Sequence, residues 1–472
     1  MTHAKIHPDI VTFIKFIAGL CIVLVSCFAP IPEGLSRQGT EYLGILLCMI
    51  FYLMVNLCNE FLVVLFALGM CAVLKITPFT DIFSAFSNTT VWLLVGVLPL
   101  AYFIGRSGLL NRIALIVMKL FPNTYSGQLL ALTAASLVIS PLIPSITAKA
   151  TVLAPFAVSV AKRMGFENKS KGLMGLFMIV YIIGAVSGHV FYSGSMNVFI
   201  LLGLLPQSIQ DSFTWGSWLQ ATFIWGLCVY VLCFLAVRIL FRPDATEKLS
   251  LGYSDRQMEK PGPMTASEKR VAIVLMVTLV GWMTKSIHGI QEAAIAIIAF
   301  LILALTEKIS NAEFRGEVAW DMIIFIGGLM CMASVMSKLQ VDAWIAKLIS
   351  PLIQPMLCNT YVFVIVLSLL VALSRYVIVS AVSAVSLFYI VFSGPAQSIG
   401  ISPWVTGFII VTIGQLWSTP FNSTTYLASV AVLGEDVLDF KQAVKMSHVF
   451  VVVSILGFLL SIPLWRQLGL IR

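Results

Sequence analysis

The sequence predicts an all-α polytopic membrane protein built as an inverted repeat, with two re-entrant hairpins and two broken helices. Three observations predict it. The chain of 472 residues is 59% hydrophobic and only 11% charged, with a mean hydropathy of +1.00, too apolar for a soluble globular protein of this length. Apolar stretches close to the roughly 20 residues that cross a bilayer recur throughout, among them 10–29, 42–57, 90–105, 173–186, 216–237, 271–287, 320–336 and 448–465. The third observation is an order of motifs that occurs twice.

Residues 1–90 supply N-terminal membrane helices, assigned to scaffolding and oligomerisation. The first apolar run lacks a small-residue cleavage site, so it reads as a retained helix with a cytoplasmic N-terminus rather than a removed signal. Residues 91–240 form a first repeat and 271–472 a second, and the polar stretch 241–270, with Pro-Gly-Pro and mixed charges, is a cytoplasmic linker between them. Trp92 and Trp320 each open a Gly-containing membrane helix, followed by a short amphipathic helix and then Asn-Thr-Tyr at 123–125 and 359–361. After each comes an apolar stretch broken by small and hydroxyl residues, "SITAKAT" at 145–151 and "SAVSAVS" at 380–386. Each predicts a hairpin that enters and leaves the membrane by one side: 126–162 from the cytoplasm and 361–395 from outside. A second interruption, "SGHVFYSGSMN" at 187–197 and "WSTPFNSTTY" at 417–426, predicts a broken helix in each repeat.

The formal charge of +8 follows membrane topology rather than a nucleic-acid surface. Arg106, Arg112, Lys119, Lys162, Arg163, Lys169, Lys171, seven basic residues from Arg238 to Arg270, and then Lys441 and Lys445 mark the cytoplasmic side, while 205–220 has no Lys or Arg and faces outward. Crossing count agrees with this bias and puts 338–350 outside. Inverted repeats with discontinuous helices at matching positions are the signature of secondary transporters, whose site lies where the interruptions meet near the midplane. The nine Cys are scattered, mostly singly, with no C-x-x-C pair and no His/Cys cluster, which disfavours a disulfide framework or zinc site. There is no H-E-x-x-H, no G-x-S-x-G and no deep His/Asp pair, so an enzyme is not expected. The sequons at Asn88, Asn168 and Asn422 carry little weight.

A turn inside the membrane exposes backbone N–H groups at the start of the returning half-helix, an anion-attracting point. Ser145 is placed to cap it, and Lys149 follows one turn later. Either the lysine joins a bound anion in the pathway or it snorkels to water, although the turn lies about 22 Å of helix from the membrane edge. Arg375 is the basic residue of the second hairpin; it either neutralises a second anionic group or satisfies backbone carbonyls. His189 is a substrate donor or a hydrogen-bonded scaffold residue. The hydroxyls and amide at the four interruptions, Ser145, Thr147, Ser193, Ser380, Ser383, Thr419, Asn422 and Ser423, are candidate donors to carboxylate oxygens. The acids Glu60, Asp81, Glu292, Glu307, Asp321 and Glu435 fall near span ends and loops, so the deep charge is positive and the expected cargo is an anion.

At these residues the chain resembles the divalent anion:sodium symporter family, with its citrate, tartrate, succinate and 2-oxoglutarate/malate members, over about 35–470. The resemblance rests on "PSITAKA" at the first hairpin, "STPFNSTT" at the second break, the two Trp-led segments and the closing "IPLWRQLGLI". It implies an elevator-type transporter in a cell membrane, the inner membrane in a bacterium. It also implies a homodimer amid lipid that binds a di- or tricarboxylate between hairpin tips and broken helices. Ser145, Thr147 and Lys149 match its first hairpin, Ser380 to Ser383 its second tip, and Thr419 with Pro420 its second break. A possible sodium ion would lie near Ser145, Ile146, Ser380 and Val382. The family's hairpin Asn residues are replaced here by Ile146 and by Ala381-Val382. Anion exchange and sodium-coupled symport both fit, as do sulfate as cargo and a sodium/proton or arsenite-type transporter of the same superfamily. No nucleic-acid partner and no cofactor other than sodium is implied.

Overall fold

The computed structural model describes residues 8–243, 262–357, 359–378, 380–419 and 423–472, so most of the linker and the candidates Pro420 and Asn422 lie outside the described residues. The described residues form helices and no named strand. Among the described residues, eight helices are long and apolar enough to cross a membrane.

Three helices come first: α1 (Pro8–Phe28), α2 (Arg37–Met54) and α3 (Glu60–Val73). Short turns α4 (Phe79–Ile82) and a 3-10 segment (Ser84–Ser87) lead to α5 (Thr89–Ser107), whose N-cap Asn88 accepts from the Thr90 amide at 2.8 Å. The left-handed Gly108 (φ 80°) ends α5, as only glycine does without strain, and turns the chain into amphipathic α6 (Leu109–Lys119). Then come α7 (Tyr125–Ile139) and α8 (Ile146–Arg163), the two arms of the first hairpin. The first broken helix is α9 (Lys171–Ile179), a π-helical segment (Val180–Ala185), a 3-10 segment (Val186–Val190) and, after an irregular stretch, α10 (Met196–Leu204). The short α11 (Gln207–Gln210) and long α12 (Trp215–Leu240) complete the first half.

Beyond the linker come α13 (Ala266–Met283), α14 (Lys285–His288), α15 (Glu292–Glu307) and α16 (Asn311–Glu317). After them α17 (Trp320–Lys338), α18 (Val341–Leu357), the hairpin arms α19 (Thr360–Ser374) and α20 (Ala381–Ser398), and the second broken helix α21 (Pro403–Gly414) and α22 (Thr424–Leu433) repeat the first half in order. The long α23 (Phe440–Gln467) closes the chain. Corresponding elements match in length: α5 and α17 have 19 residues each, α7 and α19 have 15, and α8 and α20 have 18.

Packing crosses the halves. Helix α5 lies along α15 while α17 lies along α3, so each half's opening helix rests on the other half's preceding pair, α13/α15 or α2/α3. Helix α12 runs along α23, and α8 along α22. This brings both hairpins and both breaks into one body whose interior is the aromatic stack of Trp218, Trp225, Trp404, Phe408, Phe458 and Trp465. Every residue from Gly172 to Val190 is buried, while α13 leaves Ile273, Met276, Val277, Val280 and Met283 exposed, as a lipid-facing helix does.

Candidate functional site

At the first tip, Pro141 and Pro144 prevent α7 from continuing, and a 3-10 turn (Ser140–Leu142) leads to Ser145, the N-cap of α8. Its Oγ accepts from the Ala148 amide at 3.2 Å. The second tip repeats this geometry, with Ser380 Oγ accepting from the Ser383 amide at 3.2 Å. At the breaks, Ser195 caps α10 and Ser423 caps α22. The four interruptions therefore share one device: a serine that replaces the missing intrahelical partner at the start of a half-helix.

Tip one meets break two. The Thr147 and Thr425 hydroxyls are 3.1 Å apart, and the Ser423 hydroxyl lies 2.8 Å from the Tyr181 hydroxyl. Tyr181 comes from the π-helical segment of the first broken helix and packs edge-on against Trp417, with ring centroids 5.0 Å apart. Ser145, Ile146 and Thr147 are partly exposed and Thr424 is exposed, so the rim of this polar corner meets the surroundings while Ser423, Thr425 and Tyr181 are buried. From it the face between α8 and α22 leads toward a groove of about 520 Å³ lined by Pro155, Ser159, Lys162, Arg163, Val432 and Leu433. Lys162 and Arg163 make its mouth basic.

Tip two is docked elsewhere. The Ser380 hydroxyl donates to Glu60 Oε1 at 2.8 Å, so an acid placed at a span end by sequence reaches a hairpin tip. Ala381 and Val382 are partly exposed beside it. Ser383 is buried, and its hydroxyl has no partner among the described residues. Thr419 lies partly exposed in the second break.

Other candidates are held inside the frame. Lys149 is fully buried: its Nζ donates to the Gly194 carbonyl at 2.6 Å and to Ser140 Oγ at 3.2 Å. The ammonium does not snorkel to water. It stitches the first hairpin to the first break, and the absent side chain of Gly188 leaves the room it occupies, since a Cβ there would overlap both Lys149 Nζ and the Gly194 oxygen. Arg375, 1% exposed, is the C-cap of α19 and donates from Nη1 to the Ile378 carbonyl at 2.6 Å. His189 is buried with Nε2 3.0 Å from Thr412 Oγ1, and it stacks at 4.8 Å on Trp225. The Thr412 hydroxyl donates its proton to the Phe408 carbonyl at 2.7 Å, so His189 must donate from Nε2. Ser193 donates to the Pro141 carbonyl at 2.8 Å and accepts from Trp215 Nε1 at 3.3 Å.

Sequence reading missed Tyr181, Thr425 and Glu60. Thr425 was legible as the last hydroxyl of "NSTT", and Glu60 as a lone acid at the head of an apolar run. Tyr181 lay in an apolar run whose π turn leaves no compositional trace. Asn88, set aside as a chance motif, reaches across a second cavity of about 590 Å³, where its amide contacts Gln207 and, at 3.4 Å, Gln210. That cavity is lined by amides, hydroxyls, Asp211 and Asp342, with no Lys or Arg.

A family model described as the sodium:sulfate symporter transmembrane region matches residues 11–471. Dicarboxylate transporter 1 of the chloroplast of Spinacia oleracea is 24% identical over 425 residues, covering 88% of this chain and 74% of the relative. Inner membrane protein YbhI of Escherichia coli is 26% identical over 344 residues, 71% of this chain and 72% of the relative. Among solved structures, the YdaH transporter of Alcanivorax borkumensis aligns with a TM-score of 0.59 at 16% identity, over 98% of this chain and 99% of that one. MtrF of Neisseria gonorrhoeae aligns with a TM-score of 0.55 at 15% identity, over 97% and 95%. The two structural likenesses speak to the fold alone.

Proposed function

The chain belongs to the sodium:sulfate symporter family of transmembrane proteins, and from that premise we propose that it is a secondary transporter of small divalent organic anions such as succinate, malate, tartrate, citrate or 2-oxoglutarate. It is a multi-pass membrane transporter and not an enzyme. The observation that carries the substrate class is the corner where Thr147, Thr425, Ser423 and Tyr181 converge between a hairpin tip and a broken helix. Hydroxyls match carboxylate oxygens, and the capped N-termini of α8 and α22 add fixed partial positive charge aimed at the same place. The relatives named as dicarboxylate transporters support the reading.

In this reading the two halves form an inverted repeat of elevator type, and 126–162 and 361–395 are re-entrant hairpins. The basic groove mouth at Lys162 and Arg163 is the cytoplasmic exit. A cell-membrane setting, a cytoplasmic N-terminus and a homodimer belong to the same proposal.

Counterflow in proteoliposomes tests it, with each labelled dicarboxylate and sulfate offered in turn. We expect saturable exchange of at least one dicarboxylate, competed poorly by sulfate. In Thr147→Val, the loss of one hydroxyl contact worth about 1 kcal/mol should raise KM roughly fivefold, with normal membrane insertion. Uptake of sulfate alone, or a signal driven by a pH gradient and indifferent to organic anions, would overturn the substrate class.

A further inference from the structure

We propose that Glu60 is a displaceable latch: its carboxylate holds the Ser380 hydroxyl of the second hairpin tip in the unloaded protein, as a cargo carboxylate would, and so pins the tip to α3 until cargo takes its place. The inference rests on the transport reading above and deepens it by naming a positioning residue that ties binding to movement.

A serine hydroxyl carries one proton and donates it to one acceptor at a time. Ser380 gives that proton to Glu60 Oε1 at 2.8 Å, while its oxygen accepts from the Ser383 amide at 3.2 Å. The protein itself therefore fills both of its roles. Ser145, the matching cap at the first tip, also accepts from the amide three residues on, at 3.2 Å, but its proton has no protein acceptor among the described residues. One tip is free to donate and the other is taken. A cargo carboxylate that reaches Ser380 has to displace Glu60, because two carboxylates at one hydroxyl compete for a single proton and repel each other.

Glu60 is held in a way that permits this exchange. Among the described residues no Lys or Arg pairs with it. The charge that bears on it is that of a second acid, Asp321 in the first turn of α17. The carboxylate also has a place to rest once released. It belongs to the first residue of α3, and the N-cap Asn59 makes no side-chain bond there, so the positive end of the helix is left uncapped beside it.

The position of the contact gives it its consequence. Helix α3 lies along α17, whereas the arm that Ser380 caps, α20, packs on α18 and α21. The bond thus joins the N-terminal helices to the second hairpin across 320 positions of sequence. In the elevator reading the hairpin slides past those helices. While Ser380 donates to Glu60 the tip stays with α3; once it donates to cargo the tip is free to leave. The empty carrier is the pinned one, which favours exchange of one anion for another over the return of an empty site.

The test uses the purified full-length protein in liposomes, with sodium chloride or choline chloride on both sides, and compares the parent with Glu60→Ala and Glu60→Asp. The alanine removes the carboxylate. The aspartate keeps the charge at the head of α3 but draws it back by one methylene, out of reach of Ser380. With the internal competitor gone, both variants should show a KM for succinate or malate counterflow roughly fivefold below the parent. In both, net uptake into liposomes without internal dicarboxylate should rise roughly fivefold relative to counterflow, as the empty form is no longer held in one state. A static bond would move neither quantity in this direction, so an unchanged or raised KM, or an unchanged ratio of net uptake to counterflow, would overturn the latch. An aspartate variant that behaves as the parent while the alanine variant shows the lower KM would also overturn it, since bare charge repulsion would then suffice. Should the alanine variant fail to insert, the aspartate variant decides by the same measures. Absence of dicarboxylate counterflow by the parent in both salts would instead overturn the transport reading, and the latch with it.

Discussion

At the scale of single residues, position along the chain and position in space diverge most for Lys149. Its place in the first turn of α8 suggested a cation beside a positive helix end, held there by an anion. Its four-carbon stem carries the charge instead to the opposite pole, the end of α7, and that direction is set by the vacancy at Gly188, which no local pattern announces. His189 is the converse case: its histidine identity suggested chemistry, and its neighbours make it scaffold. His189→Phe should keep the ring contact with Trp225 and the edge-on contact with Phe408 while removing the bond to Thr412. The expected cost is about 1–2 kcal/mol, seen as a lower melting temperature in detergent, with KM for exchange within twofold of the parent. A KM rise beyond tenfold would return His189 to the binding site.

At the scale of elements, the hairpins and breaks were legible because proline, serine and threonine inside an apolar run leave few other places to turn. The paired lengths of α5 and α17, α7 and α19, and α8 and α20 follow from the same grammar. Contacts between tips and breaks were not legible, because Thr147 and Thr425 meet across 278 positions of sequence. Short α16 shows how an exposed element can still be strongly specified. Glu313 is held at about 2, below its usual 4.5, first by the Ser310 hydroxyl, then by the Ser310 backbone N–H and the Tyr102 hydroxyl, with Arg106 adding its charge. A depressed carboxyl stabilises the fold fully above its unfolded pKa and loses that contribution as pH falls through the folded value. The stability gap between the parent and Glu313→Gln should therefore stay constant from about pH 8 to pH 5.5. Below 4.5 it should narrow, read by thermal unfolding across that range.

At the scale of the molecule, composition and the recurring apolar runs were sufficient for the all-helical membrane class, whereas the packing of α5 on α15 and of α17 on α3 was not visible in them. Residues 1–90 read as N-terminal membrane helices for scaffolding and oligomerisation; within them α3 lies along α17 of the second half, and its first residue, Glu60, accepts from Ser380 at the second tip. The proposed topology has a direct readout. A cysteine at Asp211 in a cysteine-free background should react with a membrane-impermeant maleimide from outside intact cells, and one at Lys441 only after the membrane is opened. The reverse pattern would invert the assignment of both hairpins.

The π-helical segment at Val180–Ala185 and the 3-10 segment that follows it make one strand of chain run on two gauges. A π turn takes in an extra residue and so shifts the facing direction of everything downstream by about 100° relative to a plain helix, while a 3-10 turn winds more tightly again. Within the π segment, Tyr181 looks toward Ser423; in the 3-10 segment after it, His189 looks toward Trp225 and Thr412. A single buried rod thus shows one side to the cargo corner and another to the frame, like a key whose bit is cut at an angle to its bow, so any roll of the rod is felt at both ends at once.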